Sequence, residues 1–427
     1  MGEVLSNLFR LTVGELVGSL LQAYSKPLEE LVGSLLQAYS KPLEELVGSL
    51  LQAYSKPLEE NRRCVFIITI FSLGALYLYN TVQLQRQGVT HIVFIKVHKA
   101  ASSSIQNIFL RYGYNRNLTF VLGKNSNFYP QVISYSDTVS YQIIEPPPTN
   151  RAFDIMCSHV IYNRRAFESI MPRDTMYFGI LREPYSQFVS TLHYFRPPYI
   201  FDIEDDDPIS VYLKDPSKYE IEVKYSSTNN RQAFEFGFPL DIFKTRDMTR
   251  VNEYLRKLDS EFKLVLIAEY LPESVILMRR YLNWTTKDVI YILKNAWSQL
   301  PETNQAALNI RFHVSNATRT LYKTWATLDY ALYDYFVQKL HRQILAEGSD
   351  FQSEVSNFRN ILGKIEHFCN KVSRPYRFVK LHIDQTRWNG LIVYTTTDCS
   401  QLLLPEKDFH DEIRNVQYPN KTLDRPS

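Results

Sequence analysis

Apolar positions along the chain fall into two regimes. Runs at 91–97 (HIVFIKV), 153–160 (FDIMCSHV), 176–181 (MYFGIL) and 262–270 (FKLVLIAEY) are short, largely apolar and rich in β-formers. Such runs read as strands of a buried sheet. At 103–112, 184–195, 272–282, 286–296 and 318–345 the apolar residues instead recur every three or four positions, as one face of a helix does. In the last of these, Leu321, Trp325, Leu328, Leu332, Tyr335 and Leu340 lie along one side. Strands alternating with helices predict an α/β fold with a central parallel sheet flanked by helices. Beyond 346 the pattern weakens, and 346–427 is expected to be a C-terminal extension of the main domain at 88–345.

The first eighty residues follow other rules. LVGSLLQAYSKPLEE occurs three times in succession, at 16–30, 31–45 and 46–60. Leu28, Leu31, Val32, Leu35, Leu36 and Tyr39 make an apolar stripe, and Pro27, Pro42 and Pro57 suit helix starts. The repeats could be a membrane-surface or self-association segment; perfect repetition favours a tandem duplication without a role of its own. Residues 64–79 (CVFIITIFSLGALYLY) carry no charge, and Val82 and Leu84 extend them toward the roughly 17–25 residues of a spanning helix. A transmembrane signal-anchor is predicted at 64–84. Lys56, Arg62 and Arg63 precede it and only Arg86 closely follows, so 1–63 is expected in the cytosol and the chain after 88 in the lumen. Sequons at Asn117, Asn283, Asn316 and Asn420 all follow the span.

Composition narrows the function. With 48 Lys+Arg against 45 Asp+Glu the net charge is +3, which argues against a polybasic nucleic-acid binder, so any anion site must be local. Four cysteines are too few for a disulfide scaffold, and none forms a CxxC zinc pair. A Cys369–Cys399 bridge fits an oxidising lumen, although sequence alone leaves the pairing open.

The chemistry concentrates at two strand–loop–helix junctions. In HIVFIKVHKAASSSIQNIFLRYG (91–113) a buried strand runs into a turn holding Lys99, Ala101, Ser102, Ser103 and Ser104, and a helix begins at once. Free N–H groups and the helix dipole favour an anion there, Lys99 adds a full charge, and the serines add hydroxyls. This is a phosphate cradle without the glycines of GxxxxGK[ST]. In GILREPYSQFVSTLHYF (179–195), Arg182 stands just before a helix opened by Pro184, and Ser190 follows eight residues later, about two turns on. A guanidinium there suits a terminal phosphate, or an ion pair with Glu183 or another carboxylate.

Together these segments resemble the 5′-phosphosulfate loop and the 3′-phosphate motif of sulfotransferases. KVHKAASSSIQNIFLRYG, DIMCSHVIYN, ILREPYSQFVSTLHYF, QAFEFGF (232–238) and LVLIAEYLPESVILMRRYLNWTTKDVIYILKN (264–295) are similar, in order, to blocks of the galactose-3-O-sulfotransferase family. The resemblance covers roughly 88–345. It implies a P-loop-like sulfotransferase fold and a single-pass type II Golgi membrane protein whose catalytic domain is lumenal. The implied reaction moves a sulfuryl group from 3′-phosphoadenylyl sulfate to the 3-hydroxyl of a β-galactose in a glycolipid or glycoprotein glycan. It needs neither a metal nor a nucleic-acid partner. Departures are Ala100 where relatives carry a small hydroxyl residue, the 1–60 repeats, and the weak match beyond 346.

The resemblance assigns the cofactor site to Lys99, Ala101, Ser102, Ser103, Ser104, Arg182 and Ser190. Lys99 is expected to stabilise the departing oxygen, as the developing charge of such transfers requires. His159, at a strand's carboxyl end and aligned with a family histidine, is the expected general base. His98 is expected to face away, and His193 to line the acceptor cleft or pack in the core. Two alternatives remain: a sulfotransferase for another sugar hydroxyl, as in a glycosaminoglycan, and an inactive membrane-anchored glycan-binding relative.

Overall fold

The structure is a computed structural model that describes residues 88–124, 129–293, 316–372 and 379–419. The repeats, the span expected at 64–84 and the Asn420 sequon lie outside these residues. Among the described residues no helix is long and apolar enough to cross a membrane.

Four parallel strands form the central sheet: β1 (Ile92–Ile95), β2 (Ile155–Met156), β3 (Met176–Leu181) and β4 (Leu264–Ile267), in the order β2-β1-β3-β4. β1, β2 and β4 are buried throughout and β3 from its second residue, as a sheet covered on both faces requires. In register, Phe94 lies beside Phe178, and Ile95 beside Gly179. Gly179 is needed for close packing, because a Cβ there would meet the Phe236 ring at 2.6 Å.

Helix α1 (Ser102–Tyr114) follows β1, and α2 (Pro184–Phe195) follows β3. The short α3 (Arg231–Glu235) and longer α4 (Met248–Glu261) come before β4, and α5 (Leu271–Leu282) follows it. Next come α6 (Asn316–Trp325), α7 (Thr327–Ala346) and α8 (Phe351–Val372). An antiparallel pair, β5 (Lys380–Ile383) and β6 (Ile392–Thr395), leads to α9 (Thr396–Leu403) and α10 (Glu406–Gln417). Helices α5 and α7 pack against β4, while α9 and α10 pack against α1.

Several sequence expectations need correction. The stripe at 318–345 is two helices, because the chain leaves helical geometry at Ala326 and the Asn230 side chain accepts from the Leu328 and Asp329 amides to start α7. Residues 286–293, expected to be helical, are turn and coil. There the amide and hydroxyl of Thr285 bind the Asp288 carboxylate, and the Asp288 amide returns to Thr285 Oγ1. This local side-chain network competes with helix. Of the strand expected at 153–160 only two residues pair continuously; His159 joins Val132 through an isolated bridge.

Beyond 346 the chain is well built. Phe351, Val355, Phe358, Ile361, Ile365 and Cys369 of α8 enter the same core as β1 and β4. The disulfide pairs Cys369 with Cys399 and so ties α8 to α9.

Candidate active site

The carboxyl end of β1 runs through 96–101 into α1. With no glycine in the turn, Lys99 and Ala101 themselves take left-handed backbone conformations, φ 59° and 58°. Each costs on the order of 1–3 kcal/mol in a residue with a Cβ, and surrounding contacts must hold it. Two such contacts are clear. The Ser102 hydroxyl donates to the Val97 carbonyl at 2.6 Å, and an Arg182 Nη1–H donates to the Lys99 carbonyl at 3.1 Å. The first turn of α1 carries no acidic residue, so the helix dipole and its first amides leave positive potential at the helix start.

Of the loop residues expected to hold the cofactor, Lys99, Ala101, Ser102 and Ser103 line a cavity of about 1540 Å³. Arg182 and Ser190 line it too. Ser104 is buried and is not among the lining residues. The Lys99 ammonium lies 3.8 Å from the centre of the Tyr194 ring. Burial, followed by repulsion from Arg182 and Lys96, pushes its pKa down to about 8.

Arg182 is fixed by its backbone. Its amide donates to Gln232 Oε1 at 2.9 Å and its carbonyl accepts from Gln232 Nε2 at 2.8 Å. Neighbouring Glu183 caps α2, accepting from the amides of Tyr185 and Ser186, and pairs with Arg319 at 3.4 Å. The alternative of an Arg182–Glu183 ion pair is therefore not seen. Among the described residues neither Lys99 nor Arg182 forms an ion pair. Glu269 and Glu183 act on Arg182 only from a distance, so two partly buried cations outside direct ion pairs face one cavity, and they suit a polyanionic ligand.

A second group sits beneath the loop. His159 is buried, with Nδ1–H donating to the Lys96 carbonyl at 2.9 Å and Nε2 accepting from Lys96 Nζ at 2.8 Å. Both nitrogens are engaged. Burial, then the nearby His98 and Lys96 charges, keeps the imidazole neutral, its pKa well below the usual histidine value. The His98 ring stacks on it, with centroids 3.7 Å apart. Contrary to expectation, His98 faces the cavity. Its amide donates to Glu235 Oε2 at 2.9 Å and its Nδ1 bonds Glu235 Oε1, so Nε2 is the nitrogen left for a substrate.

Glu235 also receives Arg231 Nε at 3.0 Å. Burial raises its pKa, but His98 and Arg231 outweigh that and hold it down at about 2. Lys96, only 3% exposed, pairs with Glu406 of α10 at 2.9 Å. His193 also lines the cavity, and burial pushes its pKa to about 4.

His98, His159 and Glu235 bring potential ligand atoms within 4.8 Å of one another. The ammonium of Lys96 holds one of these histidines and the guanidinium of Arg231 holds the carboxylate, an arrangement that repels a divalent ion. Sequence reasoning gave no role to Lys96, Arg231, Gln232, Glu235 or Glu406. Gln232 and Glu235 stood within the QAFEFGF block, three residues apart on one helical face, which is the signal that could have marked them.

Parallel strands whose carboxyl ends gather unpaired cations around a helix start define an anion-binding α/β protein. Comparison with known proteins narrows the class. The model of the galactose-3-O-sulfotransferase family matches residues 51–376. Galactose-3-O-sulfotransferase 2 of Mus musculus is 30% identical over 364 residues, covering 80% of this chain and 88% of the relative. Galactose-3-O-sulfotransferase 3 of Mus musculus is 29% identical over 78% of this chain and 81% of its own. Galactosylceramide sulfotransferase of Mus musculus is 28% identical over 65% and 63%. This chain belongs to the galactose-3-O-sulfotransferase family.

The lowered pKa of Lys99 gives a pH dependence with a definite sign. The ammonium is present below about 8 and lost above it, so binding of inorganic sulfate should weaken as pH rises from 7 to 9. Loss of one charged contact should weaken it up to roughly tenfold. Calorimetric titration of Lys99→Arg, which stays charged, should show no such decline. A decline of the same size in that variant would assign it to another group.

Proposed function

We propose that this protein transfers the sulfuryl group of 3′-phosphoadenylyl sulfate to the 3-hydroxyl of a β-galactose residue in a glycolipid or glycoprotein glycan. The observation that carries this reading is the pair of cavity-facing cations outside any direct ion pair among the described residues, Lys99 and Arg182, in a chain of this family. Lys99 and the loop would hold the sulfated phosphate; Arg182 and Ser190 would hold the 3′-phosphate. The aromatic part of the lining favours a sugar. Tyr129, Tyr135, Tyr194, Phe195 and Tyr225 line the cavity yet remain 43–65% exposed, offering apolar faces to the C–H side of a hexose.

In this reading His98, rather than His159, is the general base. Glu235 fixes the Nδ1–H tautomer of His98, and Nε2 takes the proton of the attacking hydroxyl as its oxygen bonds to sulfur. The bond from sulfur to the phosphate oxygen breaks, and Lys99 stabilises the charge that collects on that oxygen. His159 supports the His98 ring from below and receives the Lys96 ammonium.

Incubation of the protein with sulfate-labelled donor and a panel of β-galactosides, followed by linkage analysis, should give 3-O-sulfated product. Sulfate on another position, or none, would overturn the assignment. His98→Ala should lose about 10²–10⁴ in turnover while its melting temperature and affinity for adenosine 3′,5′-bisphosphate stay close to wild type. If His159→Ala alone shows that pattern, the base is His159.

We further propose a single-pass Golgi protein with its catalytic domain in the lumen, anchored by 64–84. The support is the charge asymmetry around that segment, together with the exposure of all three described sequon asparagines, Asn117, Asn283 and Asn316. Endoglycosidase treatment of protein from secretory membranes should increase its mobility; an unchanged mobility would contradict the lumenal placement.

A further inference from the structure

The C-terminal helix contributes a charge to the donor cradle. Glu406, the first residue of α10, accepts from the Ser103 hydroxyl at 2.7 Å through Oε2 and pairs with Lys96 Nζ at 2.9 Å through Oε1. It lines the same cavity as Lys99 and Arg182, and it lies beyond the 51–376 match to the family model. A carboxylate inside an anion cradle opposes the ligand unless it has another purpose.

Its seat is firm. Phe409 and Ile413 of α10 are in the core, and His410 bonds Ser158 at 3.2 Å. Arg414 pairs with Glu145 at 3.0 Å, and the Gln417 side chain both donates to and accepts from the Phe120 backbone at 2.9 Å. The preceding helix α9 is held by the disulfide to α8. Glu406 is thus a built part of the site, aimed by a packed helix, and not a loose chain end.

We propose that Glu406 is an affinity-setting residue of the donor site. Its carboxylate shares Ser103 and Lys96 with the sulfated phosphate of the donor, so nucleotide affinity is held down and the spent nucleotide leaves readily. The proposal rests on the donor reading above. Of the cradle's three cations, Lys96, Lys99 and Arg182, one is neutralised by Glu406 whenever the carboxylate is charged. A buried lysine does need a partner, so the same contact also stabilises Lys96. The two roles predict opposite signs. Removing a competitor tightens nucleotide binding; removing a mere brace loosens it.

The test is titration calorimetry of the purified protein with adenosine 3′,5′-bisphosphate, alongside melting temperature. Glu406→Gln keeps the shape and an acceptor for Ser103 but removes the charge. Its Kd should fall roughly tenfold, the equivalent of one charge-assisted contact, with dissociation slowed to match. Equal or weaker binding by a stable Glu406→Gln protein would overturn the proposal. If Glu406→Gln melts early, Glu406→Asp decides, because it keeps a counter-charge near Lys96 while drawing back from Ser103. That variant should bind several-fold tighter than wild type, and unchanged binding would again overturn the proposal. Wild-type protein that binds no nucleotide would overturn the donor reading and this inference together, whereas normal wild-type binding with an insensitive variant overturns only the inference.

Discussion

Two buried side chains cap each other's helices, and the site hangs from that exchange. Asn230 Oδ1 accepts from the amides of Leu328 and Asp329 at 2.9 and 3.0 Å, starting α7. Asp329 Oδ1 returns the contact to the Ala233 amide of α3 at 2.7 Å. Asn230 adopts φ 49°, a left-handed conformation that asparagine tolerates better than most residues with a Cβ. Burial pushes the Asp329 carboxyl up to about 7, against the pull of the Ala233 and Gln232 amides. One short turn of helix is thereby pinned against a twenty-residue helix. From that turn Gln232 grips the backbone of Arg182 at the end of β3, and Glu235 grips His98 just past β1. The residues proposed as donor contact and base are thus both held by one five-residue segment.

The charges sort by a single rule. Lys96 and Arg231 are buried and paired, with Glu406 and Glu235 respectively. Lys99 and Arg182 face the cavity and form no ion pair among the described residues. Paired charges build the frame, because a buried cation without a partner is too costly to keep. The cations left over are those a polyanion can use. Glu406 blurs this division: it pairs with buried Lys96 and also bonds Ser103 at the cavity wall.

Much of the frame was legible in the sequence. Residues 176–181 and 184–195 coincide with β3 and α2, because a fully apolar run and a proline at a helix start are strong local signals. The cradle was legible from Lys99 and the serines at a strand–helix junction, although Ser104 turns into the interior. The break at Ala326 was hidden, since the side chain that causes it lies almost a hundred residues earlier. Helix α8 was legible and overlooked: Phe351, Val355, Phe358, Ile361 and Ile365 have helical spacing. His98 could not be placed from spacing alone. A residue in a tight turn points wherever φ and ψ send it, and the left-handed Lys99 beside it has no counterpart in a pattern of strands and helices.

Whether Glu235 acts through His98 is decided by a double-mutant cycle on the transfer rate, with melting temperature and adenosine 3′,5′-bisphosphate affinity measured on each variant. Groups that work as a unit lose their function once, not twice. Glu235→Gln should lower turnover roughly tenfold or more in a protein that still folds and binds nucleotide, by misorienting the imidazole. Combining it with His98→Ala should cost no more than His98→Ala alone. Losses that multiply in the double variant, or a Glu235→Gln protein with normal turnover, would contradict the assignment of base and positioning residue to this pair.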